Sequence, residues 1–150
     1  MATYSFMNIT ATLAGAQGVI DLGYGAAVTK EGITVTMAQE RDAMVVGADG
    51  EVMHSLRMDK SGAVIVRLLY TSPTNAKLQT MFDAQTLTSS GWGANVLTIR
   101  NKDNDEVITC RDVAFTRSPD RNYAEDGQFL EWSFNCGKID VITGEFKSAQ

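Results

Sequence analysis

The chain has 150 residues, of which 44% are hydrophobic and 21% charged, and its net charge is -5 at neutral pH. This length and composition predict one globular domain and exclude a fibrous or largely disordered chain. Its 13 basic residues are outnumbered by 18 acidic ones, which argues against stable nucleic-acid binding through clustered lysine and arginine. No apolar run reaches the roughly 20 residues of a membrane-spanning helix, and the N-terminus lacks the pattern of a secretory signal. We therefore expect a protein assembled in a cytoplasm, without membrane binding by this chain.

Alternating apolar and polar residues predict a succession of β-strands along most of the chain. The first, "TYSFMNITATL", is the least regular, and the clearest are "GITVTMAQ", "NVLTIRN", "EVITCRDVAFT" and "QFLEWSFNCG". In "EVITCRDVAFT", strict alternation places Cys110 on the face opposite Val113 and Phe115. The run "AVIVRLLY" is apolar on both faces except at Arg67, which predicts a strand covered on two sides.

Glycine, asparagine and aspartate clusters separate these strands. The clusters "AGAQG" and "NKDND" predict turns at 14–18 and 101–105. The pair Asp49-Gly50 is a strong two-residue turn signal between two short strands. We also expect a hairpin whose strands flank "QERD" at 39–42.

One segment, "TSPTNAKLQTMFDAQTLTSSGWG", has helical rather than alternating periodicity. Ser72 is the expected N-cap and Pro73 the first residue of a helix over about 72–88. Leu78 and Met81 recur at helical spacing and are expected to face a sheet. The whole chain is therefore predicted to be a single, mainly β domain: an antiparallel β-sandwich or half-barrel with one flanking α-helix.

The sequence offers no catalytic or metal-binding cluster. His54 is the only histidine, and its neighbour Ser55 would point to the opposite face of a strand, so the two cannot act as base and nucleophile. Two cysteines and one histidine are too few for a zinc site, and the acidic runs lack the spacing of a calcium loop. Cys110 and Cys136 are expected to be buried free thiols. We expect no enzymatic activity, no cofactor and no metal.

Several segments, in order, resemble the tail tube proteins of contractile-tailed bacteriophages. They are "MATYSFMNITATLAGAQGVIDLGYGAAVTKEGITV", "GADGEVMHSL", "TSPTNAKLQTMFDAQTLTSSGWG" and "EDGQFLEWSFNCGKID". The resemblance covers nearly the whole chain. It implies a structural virion protein that forms hexameric rings, in which the inner strands of six copies join into one shared barrel. The rings would stack helically into the inner tube of a contractile tail, which conducts the genome during ejection.

The resemblance also implies the partners of the protein. These are the chain itself, the tail sheath protein, the baseplate and tail-terminator proteins, and the tape-measure protein that the tube first holds. DNA would pass as a non-adhesive cargo. The protein would reside in the tail of the virion after assembly in the host cytoplasm.

Two sets of residues are candidates for these roles. A projecting hairpin or loop at about 39–62 would carry the contacts between subunits and between rings. The contact candidates are Asp49, Gly50, Glu51, His54 and Arg57. Polar second faces of strands are candidates for the lumen, because they give phosphate no cation to bind. The lumen candidates are Thr34, Thr36, Thr98, Asp112, Thr116, Glu131, Ser133 and Asn135.

Three alternatives stay open at this point. The hairpin at 39–62 could be an ordinary solvated turn. A tube protein of a related contractile injection system or tailocin would follow the same physics and would be separated only by its genome context. A monomeric ligand-binding β-barrel would instead show an apolar interior cavity, and sedimentation at high concentration would distinguish it from a polymer.

Overall fold

The structure, a computed structural model, describes residues 2–26 and 28–146. Within these ranges a single 3-10 turn at Phe6–Asn8 precedes nine strands and one helix. The strands are β1 (Ile9–Gly15), β2 (Gly18–Asp21), β3 (Val28–Met37), β4 (Asp42–Val46), β5 (Val52–Leu56), β6 (Gly62–Leu69), β7 (Asn95–Asn101), β8 (Glu106–Phe115) and β9 (Phe129–Ile142). The helix α1 (Thr74–Thr86) lies between β6 and β7.

Seven strands form one antiparallel sheet in the order β2-β1-β7-β8-β9-β6-β3, which curves into a half-barrel. Within the described ranges, β4 and β5 pair only with each other, in a separate two-stranded sheet. The predicted fold class is therefore confirmed, as are the turns at 14–18 and 101–105, which join β1 to β2 and β7 to β8. Among the described residues, no helix is long and apolar enough to cross a membrane.

One face of the sheet buries the core beneath α1. Aromatic rings dominate this core: the ring centroid of Phe115 lies 5.0 Å from that of Phe134, 6.0 Å from that of Trp132 and 5.6 Å from that of Phe82. Trp132 and Phe134 are completely buried, as the alternation of β9 predicts. Burying a large apolar side chain of this kind stabilises a fold by roughly 1.5–3 kcal/mol.

The N-terminus of α1 is fixed by a buried asparagine. Asn75 Oδ1 accepts a hydrogen bond from Trp132 Nε1 at 3.1 Å, and Asn75 Nδ2 donates to the carbonyl oxygens of Leu69 at 2.9 Å and Tyr70 at 3.3 Å. The helix begins at Thr74 rather than at the expected Pro73. Helix boundaries shift by a residue or two in this way because the first turn lacks intrahelical hydrogen bonds.

The C-terminal end of α1 is fixed by a second pair of buried amides. Gln85 Nε2 donates to Asn95 Oδ1 at 2.7 Å, and Asn95 Nδ2 donates to Gln85 Oε1 at 2.8 Å. Asn95 Nδ2 also donates to the carbonyl oxygen of Val113 at 3.1 Å. This exchange satisfies polar groups that would be costly to bury alone, and it attaches the helix to β7 and β8.

A bulge interrupts the alternation of β8. The register between β7 and β8 shifts by one residue between the pairs Asn95–Val113 and Leu97–Cys110, and Asp112 has a φ of 55°. Cys110 and Val113 are consequently buried on the same face, so the prediction of opposite faces is wrong. An extra residue of this kind re-aims every side chain that follows it, and alternation alone does not reveal it.

The strand β6 is covered on one face only. Val64, Val66 and Leu68 are fully buried, whereas Ile65 and Arg67 on the other face are partly exposed. The prediction that both faces are covered is therefore wrong for the single chain. The sequence shows the apolar character of the second face but not what lies above it.

Candidate assembly surfaces

The ribbon formed by β3 and β6 continues beyond the sheet as a segment that we call the arm, residues 38–61. Past the Met37–Gly62 pair, the Ala38 N–H donates to the Ser61 carbonyl oxygen at 3.0 Å, and the ribbon then continues into β4 and β5. The turn lies at 47–51, where Gly50 has a φ of 89°. The strand–turn–strand around Asp49-Gly50 is therefore confirmed. The expected hairpin at 39–42 is wrong, because those residues belong to one side of the ribbon.

The arm leaves the sheet at a tightly packed base. A Cβ atom at Gly62 would lie 2.3 Å from the carbonyl oxygen of Thr36, so only glycine fits there. Asp59 Oδ1 accepts hydrogen bonds from Ser61 Oγ at 2.6 Å and from the Ser61 N–H at 2.8 Å. These two bonds hold the pKa of Asp59 below its ordinary value. The base is thus ordered although the arm beyond it is exposed.

The arm exposes an unusual amount of apolar surface. Every residue of β4 and β5 except Ala43 is exposed. The exposed apolar side chains are Met44, Val45, Val46, Val52, Met53, Leu56 and Met58. They lie on both faces of the hairpin. The cross-strand pair Val45–Met53 points to one face, and the adjacent pair Val46–Val52 points to the other. A two-stranded hairpin is marginally stable alone in water, and exposed apolar surface of this extent is typical of sites that bind a protein, a membrane or a ligand.

The residues proposed for subunit contacts all lie on the arm: Asp49, Gly50, Glu51, His54 and Arg57. Asp49 Oδ1 accepts a hydrogen bond from the Glu51 N–H at 3.2 Å, which orders the turn. His54 Nδ1 lies 3.1 Å from both carboxylate oxygens of Asp42, and both side chains are exposed. Contact of these residues with another subunit stays a prediction.

The face of the sheet opposite the core, which we call the open face, gathers most of the lumen candidates. Strand registers place Thr34, Ser133 and Thr116 in one row across the sheet. Thr36 and Asn135 occupy the neighbouring row. The remaining candidates are Glu131, next to these rows on β9, Asp112, at the bulge of β8, and Thr98, farther away on β7. That this face lines a lumen stays a prediction.

Three basic side chains on or next to the open face, those of Arg67, Lys60 and Arg111, lie beside carboxylates. Arg67 Nε lies 3.6 Å from Glu131 Oε2. Asp140 holds two cations, with Lys60 Nζ and Arg111 Nη1 each 3.2 Å from one of its oxygens. Exposed ion pairs contribute only about 0–1 kcal/mol to folding, so their main consequence is for the local charge of this face.

At the far end of β6 from the arm lies a second apolar surface, which we call the end cluster: Leu69, Tyr70, Tyr123 and Phe129. Leu69 and Phe129 are cross-strand partners. The rings of Tyr70 and Tyr123 meet edge to face, with centroids 6.2 Å apart. A hydrogen bond with Tyr123 raises the pKa of Tyr70. Tyr123 is 78% exposed, so this cluster is uncovered in the single chain.

The described residues show no arrangement suited to catalysis or metal binding. No group of three or more histidine, cysteine or acidic residues is placed to hold a metal ion in 2–26 and 28–146. Cys110 and Cys136 are buried and free, as predicted. A hydrogen bond with Cys110, together with burial, raises the pKa of the Cys136 thiol, which keeps it protonated at neutral pH. The surfaces that remain are suited to protein contact.

The sequence matches the family described as bacteriophage PhiTE tail tube protein over residues 1–144. The chain belongs to this family. It is therefore a structural tail tube protein. No curated protein matches it significantly in sequence.

Solved structures of similar fold also come from tubes and injection devices. The tail tube protein matches the tube-terminating cap of the anti-feeding prophage with a TM-score of 0.61 and 8% identity, over 96% of this chain and 95% of that one. A chain of the PVC sheath-tube complex in the extended state matches with a TM-score of 0.60 and 8% identity, over 94% of this chain and 92% of that one. A chain from the tail of an empty GTA particle matches with a TM-score of 0.59 and 10% identity, over 97% of this chain and 100% of that one. At these identities the likeness concerns the fold alone.

The surfaces of this tail tube protein include features that the sequence reasoning missed. The sequence analysis identifies the polar residues of the arm but not the apolar side chains around them. The valines and methionines on both sides of Asp49-Gly50 are the sequence feature that indicates this apolar surface. The ion pairs of the open face and the end cluster join distant parts of the chain. Charge counting and local periodicity contain no information on such pairs.

Proposed function

We propose that six copies of this tail tube protein close into a ring and that the rings stack helically into the inner tube of a contractile tail, through which the genome passes into the host. The observation that carries this proposal is the open face, a polar surface on a curved sheet. Its central rows carry hydroxyl and amide side chains together with Ile65, Ala63 and Ala114. Arg67, the cation beside them, is paired with Glu131.

Such a surface suits the wall of a DNA channel. An unpaired lysine or arginine that binds a phosphate releases about one counterion and gains affinity from that release. Repeated over many rings, this affinity would retain the DNA. Hydroxyl and amide groups such as those of Thr36 and Asn135 stay hydrated instead, and a paired arginine offers phosphate little net charge.

The edges of the sheet suit ring closure. Among the described residues, β3 pairs only with β6 and β2 only with β1, so both edges present unpaired backbone groups. Pairing an edge with that of a neighbouring copy would satisfy these groups, and closing a ring would leave no edge in the shared barrel. The C6 symmetry applied to the GTA tail of similar fold is consistent with six copies.

The partners in this proposal are further copies of the chain, the tail sheath, the baseplate, the tail terminator and the tape-measure protein. Similar folds occur in a sheath-tube complex, a tube-terminating cap and a baseplate. These neighbours support further copies of the chain, the sheath, the baseplate and the terminator as partners. The protein would have no enzymatic role and would use no cofactor. It would assemble in the host cytoplasm and remain in the tail of the virion.

Sedimentation and thiol labelling test the proposal together. We expect concentrated protein, seeded with baseplate where necessary, to sediment as long polymers. In these polymers an Asn135→Cys variant should react with a bulky maleimide far more slowly than in the monomer, whereas Lys77→Cys on α1 should react equally fast in both. The native thiols are buried and give little background. Persistent monomers, or equal reaction at both positions in polymers, would refute the proposal.

The fold neighbours favour one second candidate, a tube of a contractile injection device without a genome. Anti-feeding prophage and PVC structures share the fold, and the same assembly surfaces would serve such a tube. Capsid genes beside the gene for this chain would decide for the phage tail.

One observation favours a monomeric ligand-binding barrel, a groove on the core side of the half-barrel, opposite the open face. A groove of about 590 Å³ lies there, with Ile33, Val35 and Ile108 among its apolar lining residues. The same sedimentation experiment separates this role, because a binding protein of that kind would stay monomeric.

A further inference from the structure

We infer that Cys110 and Cys136 are an oxidation site, at which hydrogen peroxide converts the two thiols into an intramolecular disulfide. The disulfide links β8 covalently to β9 inside the core. The inference goes beyond the proposed function, because the reaction needs only the folded single chain. Only its consequence for a tail rests on the proposed function.

The register between β8 and β9 makes the two cysteines diagonal neighbours. Cys110 is opposite Ile139, and Cys136 is opposite Val113. All four side chains are buried, so consecutive core-facing residues are three positions apart on each strand instead of two. In a regular sheet the Cα atoms of diagonal neighbours are roughly 7–8 Å apart, which is too far for two short thiol side chains to meet.

The strands depart from regular geometry between these two pairs. Asp112 has a φ of 55° at the bulge, and the ladder contains no pair between Asp112 and Gly137. A Cβ atom at Gly137 would lie 2.8 Å from Asp112 Cβ, so the strands approach too closely here for a side chain at position 137. At this bend the thiols of Cys110 and Cys136 are in contact and share a hydrogen bond.

Burial selects the oxidant. Cys110 is 0% and Cys136 3% exposed. A bulky oxidant such as a peptide disulfide must bring its own sulfur up to the attacking thiolate, which this enclosure prevents. Hydrogen peroxide is a neutral molecule little larger than water, and small local openings of the sheet admit it.

The shared hydrogen bond makes the two thiols unequal. It lowers the pKa of Cys110, against the opposite effect of burial, and it raises the pKa of Cys136 together with burial. Because the thiolate is the nucleophile in cysteine oxidation, Cys110 is the sulfur that reacts first and Cys136 is the sulfur that follows.

The reaction has two steps. The Cys110 thiolate attacks one oxygen of hydrogen peroxide and breaks the O–O bond, which gives a sulfenic acid and a hydroxide that takes up the proton released by Cys110. The Cys136 sulfur then displaces the hydroxyl group from the Cys110 sulfur, and its proton leaves with that hydroxyl as water. In total, two thiols and one peroxide give one disulfide and two water molecules, and two electrons pass from sulfur to peroxide.

The disulfide constrains the connection between the two strands. It closes the loop of chain from residue 110 to residue 136, and such closure stabilises a fold mainly by restricting the unfolded chain. In the proposed function the tube is assembled in a reducing cytoplasm, where thiols persist, and then leaves it. The disulfide therefore forms after assembly and fixes β8 to β9 in the tube wall.

Peptide mapping after peroxide treatment of the folded chain tests the site. Trypsin cleaves after lysine and arginine, so it places Cys110 in the peptide 103–111 and Cys136 in the peptide 122–138. We expect the two peptides to appear as one linked species, obtained from a band that runs as a monomer in non-reducing electrophoresis. The alkylatable thiols of the denatured protein should fall from two to none.

Urea unfolding measures the consequence of the link. The midpoint of the oxidised wild-type chain should rise by roughly 1–2 M, and a thiol reductant should reverse the rise. The same reductant does not reverse methionine oxidation, which needs a dedicated reductase, so the reversal isolates the effect of the disulfide. Cys110→Ala and Cys136→Ala are matched controls, because each keeps one buried thiol without its partner, and neither should gain stability from peroxide.

Two free thiols in the peroxide-treated wild type would overturn the inference. A sulfinic or sulfonic acid in place of the link, or links only between different chains, would overturn it as well. Tubes whose subunits never form the link would leave the proposed function standing. The link in a chain that never forms tubes would uphold the oxidation site and refute the proposed function.

Discussion

Asn75 links the N-terminus of α1 to the sheet. Its side chain accepts a hydrogen bond from the Trp132 indole and donates two bonds to the carbonyl oxygens of Leu69 and Tyr70. In Asn75→Ala the indole N–H, on a side chain with 0% exposure, would have no acceptor. Leaving such a donor unsatisfied costs about 1–3 kcal/mol, and each lost bond to a partly buried carbonyl adds roughly 0.5–1 kcal/mol.

We therefore expect Asn75→Ala to lower the free energy of unfolding by about 2–5 kcal/mol, a large share of the roughly 5–15 kcal/mol typical of a domain. Urea unfolding of dilute protein, checked to be monomeric and followed by circular dichroism, measures this change.

A double-mutant cycle with Trp132→Phe identifies the cause. If the indole bond is responsible, the two substitutions should be non-additive by about 1 kcal/mol, because the double variant leaves neither partner unsatisfied. Strict additivity, or a loss of less than about 0.5 kcal/mol in Asn75→Ala, would refute this reasoning.

Three further substitutions test the arm base and the open face. Gly62→Ala should lower the free energy of unfolding by roughly 1–3 kcal/mol and abolish tubes in electron micrographs, because a Cβ atom would meet the Thr36 carbonyl oxygen at 2.3 Å. Asp140→Asn should change stability by less than about 1 kcal/mol yet increase the DNA that co-sediments with tubes, because it leaves Lys60 and Arg111 without their carboxylate. The control Asp120→Asn, which removes the ion pair of 3.2 Å between Arg117 and Asp120 outside the sheet, should not increase it. Equal DNA retention by the two variants would contradict the charge argument. The pKa of Asp59 is lowered in the fold, so its contribution is present above the unfolded-state pKa of about 3.9 and is lost as the pH falls through the lower folded value. Asp59→Asn should flatten this acid-side loss in urea titrations, and an unchanged pH slope would argue against it.

Local patterns in the sequence predict much of this fold. The alternation in β9 identifies Trp132 as a core residue, and "NKDND" identifies the turn between β7 and β8. The periodicity of Leu78 and Met81 identifies the buried side of α1. Each of these features depends on residues within about one turn or one strand of each other, so each is visible in a short window of sequence.

The missed features depend on residues far apart in the chain. Strand β3 pairs with β6 across the whole arm, a choice that no short window determines. The bulge at Asp112 reverses the facing of Cys110 relative to Val113. The candidate lumen residues were selected by polarity alone, and it is the register between strands that brings most of them onto one face.

Cryo-electron microscopy of the assembled protein tests the central claim most directly. We expect hollow tubes of sixfold rings, in which Thr34, Ser133 and Asn135 face the channel and the arm crosses to the next ring. A map that places these three side chains on the outer surface of the tube, or polymers without a channel, would contradict it.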